Sequence, residues 1–503
     1  MSQQKLAAFK EIVQKINHYH EALSVLFWDL RTGAPKKGVE GRSEVIGMLS
    51  TEQFNLSTSD QLGECLDQLS ETSVFEGLSN VEQRMVTEYK KDYDRNKKIP
   101  VDLFKENVIL TSQSESVWEE AKEKSDFSLF QPYLEKVVQF KKQFIEYWGV
   151  KGTPYDTLLD IYEPDITAKQ LDQVFGSLRE KLVPLVAQIG ESSNKPNTSF
   201  LHQSFSEEKQ REFSLFILEE IGYDLGAGRL DKAVHPFMID LNLRDIRITT
   251  NYYPNDITFS LFSSLHEGGH ALYEQNISPD LIGTGLCTGA SMGIHESQSR
   301  FWENMIGRSL PFWKRYYNHL NEVFPQAFSD VSVEDFYRGT NEAKPSLIRI
   351  EADELTYNLH VMIRYELEKA LFNEDLKVAD LPQAWNEKYT EYLGVTPSHD
   401  GEGVLQDVHW SGGDFGYFPS YSLGNIYAAQ FMNTIQKQLP DFDTYVENGN
   451  LQPIKQWLTE NIYQYGKLLT PAEILKQVTE EDINPNYLIQ YLETKFKGIY
   501  GIN

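Results

Sequence analysis

Apolar residues at helical spacing recur from one end of this chain to the other, and that periodicity constrains the fold more than any other feature. Leu6, Phe9, Ile12, Val13, Ile16, Tyr19, Leu23, Leu26 and Phe27 form one such stripe. The pattern returns in Leu171, Val174, Phe175, Leu178, Leu182, Val183 and Leu185, and again in Tyr487, Leu488, Tyr491, Leu492 and Phe496. Pro154, Pro164, Pro236, Pro279, Pro345, Pro397 and Pro419 punctuate the segments. No long Gly/Ser-rich or Pro-rich linker divides the 503 residues, and no fixed-period repeat is present. The expectation is a mainly α-helical fold, one large unit with two lobes around a groove.

Charge and cysteine usage narrow the setting. A formal net charge of -27 argues against nucleic acid or an anionic membrane surface as partner. Cys65 and Cys287 are the only cysteines, so no disulfide framework is possible beyond one bridge and a reducing compartment is expected. No apolar run approaches a membrane span, and the first residues enter an amphipathic pattern without a signal-peptide core. The expected location is cytoplasmic.

One stretch departs from helical spacing. Asp245 to Tyr253 alternates and is rich in β-branched and aromatic residues, which predicts a strand. Pro254-Asn255-Asp256 turns the chain, and helix spacing resumes from about Thr258 through Gln275 with Phe259, Phe262, Leu265, Gly269 and Leu272. The strand offers an exposed edge that could hold an extended peptide by backbone hydrogen bonds.

That helix carries His266-Glu267-Gly268-Gly269-His270. Four-residue spacing puts both imidazoles on one helical face, suited to two ligands of a tetrahedral zinc at about 2.0–2.1 Å. Glu267 beside them can take a proton from water and pass it to a leaving nitrogen. Each glycine costs roughly 1 kcal/mol relative to alanine inside a helix, which predicts close approach of backbone or substrate. Such a motif arises by chance in about one chain in a hundred of this length, so a third ligand decides its meaning. Glu296, in His295-Glu296-Ser297-Gln298-Ser299-Arg300, is the candidate, returned antiparallel by the glycine-rich loop from Leu281 to Gly293. His295 is the alternative, but adjacent helical residues point about 100° apart and only one can face the metal easily. Glu296 is favoured because a glutamate is the common third partner of this motif, leaving an open fourth position for water, with His295 supporting it or serving the structure.

At this point the residues resemble the carboxypeptidase Taq family of metallocarboxypeptidases, over nearly the whole chain. His235-Pro236-Phe237 is similar to its HPF signature, Asp245 to Thr249 to its DXRXT signature, and His295 to Gln298 to the segment supplying the third ligand. Ile348 to Asp353 resembles its [IV]RXXAD motif and Gly403 to Trp410 its GXXQDXHW motif. Trp28-Asp29 with Thr32 and Pro35, and Tyr155-Asp156 with Tyr162-Glu163-Pro164, are also similar. The resemblance implies a helical fold with a deep groove, a homodimer, and release of single C-terminal amino acids with broad specificity. It also implies one divalent metal per chain, zinc first, with cobalt or manganese in some relatives. The chain then reads as a single peptidase domain, with residues about 1–230 covering the groove, about 231–503 catalytic, and a small β-sheet next to the motif helix.

Remaining roles follow from what carboxypeptidase chemistry demands. A free C-terminal carboxylate suits an arginine fork, for which Arg349 is the first candidate and Arg247 the second. Either could instead make a structural ion pair, with Asp353 or Asp245. The developing oxyanion needs donors, and similarity to other zinc peptidases with a glutamate ligand suggests Tyr421, with His409 beside it. Both could also be packed aromatic residues with one satisfied hydrogen bond. His235 is a further substrate-side candidate. The alternatives in function are an endopeptidase or dipeptide-releasing enzyme on the same scaffold, and a non-catalytic helical scaffold with a structural metal.

Overall fold

Each of the three apolar stripes is a helix, spanning Ser2–Thr32, Ala168–Glu191 and Asn486–Tyr500. The computed structural model describes residues 2–502. Most of them are helical, and the buried apolar side chains form one connected core running from Phe9 to Tyr500. The prolines act as read: Pro154 and Pro419 open helices at their first turn, where a missing N–H costs nothing. Among the described residues no helix is long and apolar enough to cross a membrane.

One small sheet interrupts the helices. β1 (Gly228–Lys232) pairs parallel with β3 (Asp245–Thr250), and β2 (Met238–Asn242) pairs antiparallel on its other side. The strand expected from the alternating stretch is therefore the central one. Its edge is not available to a peptide, a correction to the sequence reading, because neighbours on both sides consume its hydrogen-bonding groups. Alternation reports that one face is buried, here through Ile246 and Ile248, but says nothing about pairing partners. β2 instead brings Met238 and Asp240 to the groove.

The helix bearing the motif, called the motif helix, spans Ile257–Gln275. Asp256 starts it: its carboxylate accepts from the Thr258 N–H at 2.8 Å, a cap worth about 1 kcal/mol. The glycine-rich loop returns the chain into a second helix, Met292–Arg300, which packs on the first. Phe301–Gly307 then continues as a π-helix. A long helix, Pro419–Gln438, packs across Met292–Arg300 from the other side. From the N-terminal part, Asn80–Lys97 opens on a reciprocal Ser79–Glu82 capping box and lays Glu88, Lys91, Asp92 and Arg95 along the groove. The cavity between these elements has a volume of about 600 Å³.

Candidate active site

The two motif glycines do different work. A Cβ at Gly268 would meet only the side-chain tips of Leu218 and Ile221. A Cβ at Gly269 would lie 2.6 Å from the Gln298 carbonyl oxygen and 2.7 Å from the Ser299 Cα. Gly269 thus lets the Met292–Arg300 backbone press against the motif helix. Gly424 serves the same end from the Pro419–Gln438 helix, where a Cβ would sit 2.5 Å from the Glu296 Cγ. Close approach of backbone, one of the two expectations for the motif, is what is found.

This packing gathers His266, His270 and Glu296, whose ligand atoms all lie within 4.8 Å of one another. Glu296 Oε2 stands 3.6 Å from His266 Nε2 and 3.4 Å from His270 Nε2. Ligands at about 2.0–2.1 Å from a tetrahedral ion are separated by roughly 3.3 Å, so the spacing of Glu296 Oε2 from each imidazole suits a small divalent cation. Two imidazole nitrogens with one carboxylate oxygen also match the ligand chemistry of an open zinc site.

The far side of each imidazole is held. His266 Nδ1 lies 2.9 Å from Glu303 Oε2. That carboxylate requires an Nδ1–H, which leaves the Nε2 lone pair pointing at Glu296. His270 Nδ1 lies 2.6 Å from His295 Nδ1, and His295 Nε2 lies 3.0 Å from Glu274 Oε1. Glu274 also accepts from Thr288 Oγ1 and the Gly289 N–H. Taking the proton of His295 Nε2, it leaves His295 Nδ1 to accept from His270, and the His270 Nε2 lone pair is free as well. His295 is therefore placed behind the ligand set.

Glu267 is nearly buried and lines the groove beside the two histidines. Burial raises its carboxyl to about 7, against the pull of the His266 imidazole. Burial also tends to raise Glu296, but Arg300 and the two imidazoles outweigh it and hold the carboxyl below the usual range. Burial, helped by the neighbouring His295 and His266 imidazoles and opposed by Glu296, lowers His270 to about 3, so it is neutral, as metal binding would require.

The other expected residues are distributed around this centre. Tyr421 lines the groove with Tyr417 and Ser420. His409 lies behind Tyr421, its Nε2 3.2 Å from the phenol oxygen, and burial lowers it to about 4. Its Nδ1 is a buried atom without a hydrogen-bond partner among the described residues. Arg349 is 5 % exposed and is engaged on all sides. Its Nε and Nη2 donate to Asp407 Oδ1 at 3.0 and 2.8 Å, and its Nη1 donates to the Tyr357 phenol at 2.9 Å. The ion-pair partner is thus Asp407 and not Asp353, which instead accepts from the Leu355 and Thr356 N–H groups. Arg247 pairs with Asp245 through two 2.7 Å hydrogen bonds and lies 5.6 Å from the Trp28 ring centre. His235 is exposed in the turn between β1 and β2, where Pro236 and Phe237, its neighbours, are the groove-lining residues.

Several residues of the site escaped sequence reasoning. Glu274 lies four residues after His270 on the same helical face, a signal that was present. Glu303 and Arg300 follow Glu296 at seven and four residues, which also places them on one side of a helix. Tyr417 precedes Tyr421 by one turn. Nothing in the local sequence marks Asp407 as the partner of Arg349.

Comparisons with known proteins agree with this geometry. The family model described as Carboxypeptidase Taq (M32) metallopeptidase matches residues 8–496. Carboxypeptidase 1 of Bacillus subtilis (strain 168) is 54% identical over 492 residues, covering 98% of each chain. Thermostable carboxypeptidase 1 of Thermus thermophilus is 41% identical over 507 residues, covering 98% of this chain and 99% of that one. The crystal structure of the M32 carboxypeptidase from Deinococcus radiodurans R1 superposes with a TM-score of 0.95 at 36% identity, covering 99% of this chain and 100% of that one. The chain belongs to the carboxypeptidase Taq family of metallopeptidases and is a metal-dependent peptide hydrolase of the carboxypeptidase type.

Proposed function

We propose that the chain removes single amino acids from the free C-terminus of peptides, with broad specificity, using Glu267 to activate the attacking water. The observation that carries this reading is the cluster in which Glu296 Oε2 stands 3.6 Å from His266 Nε2 and 3.4 Å from His270 Nε2, beside Glu267 in a groove of about 600 Å³. Those three side chains would hold one divalent cation, zinc as first choice, with cobalt or manganese as alternatives. Such a cation, when bound, supplies Lewis-acid polarisation of the scissile carbonyl and acidifies water.

Glu267 accepts the proton of the attacking water and returns it to the departing amine. Tyr421 faces the groove and donates its O–H to the oxygen on which charge develops. His409, neutral, directs Nε2–H to the Tyr421 oxygen and so sharpens the phenol as a donor. Arg349 backs the same wall, its guanidinium 5.0 Å from the centre of the Tyr421 ring. A substrate carboxylate reaches Arg349 only by taking over donor contacts now made to Asp407 and Tyr357. Arg247 is the second anchor, with Asp245 alone to displace, and His235, exposed next to the groove-lining Pro236, is a further substrate-side candidate. The family resemblance supports a single peptidase domain acting as a cytoplasmic homodimer.

A peptide pair differing only in a free or amidated C-terminus tests the reading. Mass spectrometry should show stepwise loss of one residue from the acid, no change in the amide, and no reaction of either with chelator. Cleavage of the amide, or release of dipeptides, would instead establish the endopeptidase or dipeptide-releasing alternative.

A further inference from the structure

We propose that Arg300 is a positioning residue that sorts the two carboxylates of its own helical stretch, leaving Glu296 one oxygen for the cation and setting Glu303 against His266. The inference rests on the metal-site reading above. Arg300 ends the Met292–Arg300 helix, four residues after Glu296 and three before Glu303. Its Nε donates to Glu296 Oε1 at 2.7 Å and its Nη1 to Glu303 Oε2 at 3.3 Å. The guanidinium lies 4.5 Å from the centre of the Tyr357 ring, which limits where the fork can move.

Consequences differ for the two acids. Glu296 has its oxygens divided: Oε1 takes Arg300, while Oε2 faces both imidazoles with the Ser299 hydroxyl 3.1 Å away. The short, charge-assisted bond from Arg300 turns Oε1 away and makes Oε2, which accepts only the weaker Ser299 hydroxyl bond, the oxygen presented to a cation, which keeps the fourth position of a tetrahedral site open to water. Glu303 has a second arginine, Arg308, whose Nη2 donates to Oε1 at 3.2 Å. Removing Arg300 therefore leaves Glu303 paired and frees Glu296 Oε1.

The turn that makes this possible is the π-helix from Phe301 to Gly307. π-turns are uncommon and gather at functional sites. Here the widened turn carries Glu303 under the Nδ1 of His266 while Glu296 faces the Nε2 of the same ring. Two buried carboxylates on opposite ends of one imidazole repel each other, and the guanidinium between them offsets that repulsion. A lysine, a point charge without a planar fork, cannot serve both acids at once.

Cobalt(II) is the probe. Metal-free wild type, Arg300→Met and Arg300→Lys are titrated with cobalt, and affinity is read by chelator competition alongside the visible spectrum. Arg300→Met should bind cobalt about 10–100-fold more weakly. Its spectrum should lose intensity, as four-coordinate cobalt gives way to a higher-coordinate site with Glu296 bidentate. Arg300→Lys should lie between the two, with a several-fold loss. Wild-type affinity and spectrum in Arg300→Met would overturn the proposal; if that variant fails to fold, the same result in Arg300→Lys overturns it. Failure of the wild type itself to bind cobalt would instead remove the metal-site reading on which it rests.

Discussion

The Nδ1 atoms of His270 and His295 stand 2.6 Å apart, a distance with room for one proton between two imidazoles. When Glu274 accepts the Nε2–H of a neutral His295, that proton belongs to His270, and His270 presents Nε2 to the cluster. Replacing His295 with phenylalanine keeps the ring volume and removes the acceptor. Cation affinity should then fall about 10–100-fold, measured by chelator competition. An unchanged affinity would show that His270 needs no help in choosing its tautomer.

The motif glycines should separate sharply. Alanine is worth about 1 kcal/mol over glycine in a helix interior, so Gly268→Ala, meeting only side-chain tips, should be close to neutral. Gly269→Ala drives a Cβ into backbone and should lower stability by about 1–3 kcal/mol while loosening the grip on the cation. Thermal unfolding of the two variants, with metal content measured on each, gives the comparison. Equal melting temperatures would count against Gly269 as the contact point.

Glu267→Gln should retain the cation and lose turnover by at least about 10²–10⁴-fold, because the amide cannot accept a proton. Turnover per bound metal is the relevant measurement. Activity near wild type in a metal-replete sample would remove Glu267 from the mechanism.

Glu368 gives a pH dependence away from the metal site. It is buried and accepts from the Tyr155 phenol, the Gly416 N–H and the Trp410 indole at 2.7, 2.8 and 2.7 Å. Burial nevertheless pushes its carboxyl from 4.5 up to about 7. The folded state thus prefers the protonated acid. Its contribution to stability is complete below pH 4.5 and is lost as pH rises through about 7, a change of about 3 kcal/mol across the window. Glu368→Gln carries no proton and should show a correspondingly shallower fall in urea-unfolding stability over that range. Parallel curves for the two proteins would exclude Glu368 as a contributor.

Much of the site was legible because its elements are local. Four-residue spacing alone puts His266 and His270 on one face, and the glycine-rich turn before Met292 allowed Glu296 to return to them. The strand was legible too, but its edge was misjudged. Alternation in Asp245–Thr250 records burial of Ile246 and Ile248, whereas the pairing partners lie in β1 and β2, neither of which carries a strong pattern of its own. Local sequence offers Asp353 as the acid for Arg349, yet the acid it pairs with, Asp407, is 58 residues further along the chain.

The sequence by itself determined the helical architecture, the motif helix and the residues of the candidate donor set. Those properties follow from periodicity and from what histidine and glutamate can do at fixed spacing. Tertiary structure alone decided which oxygen of Glu296 faces the imidazoles, which nitrogen of each imidazole faces it, and which arginine stands between Glu296 and Glu303. Those choices depend on packing at Gly269 and Gly424 and on a single widened turn after Arg300. Contacts between elements are set by how buried surfaces close over one another, and no local pattern in the chain records that outcome.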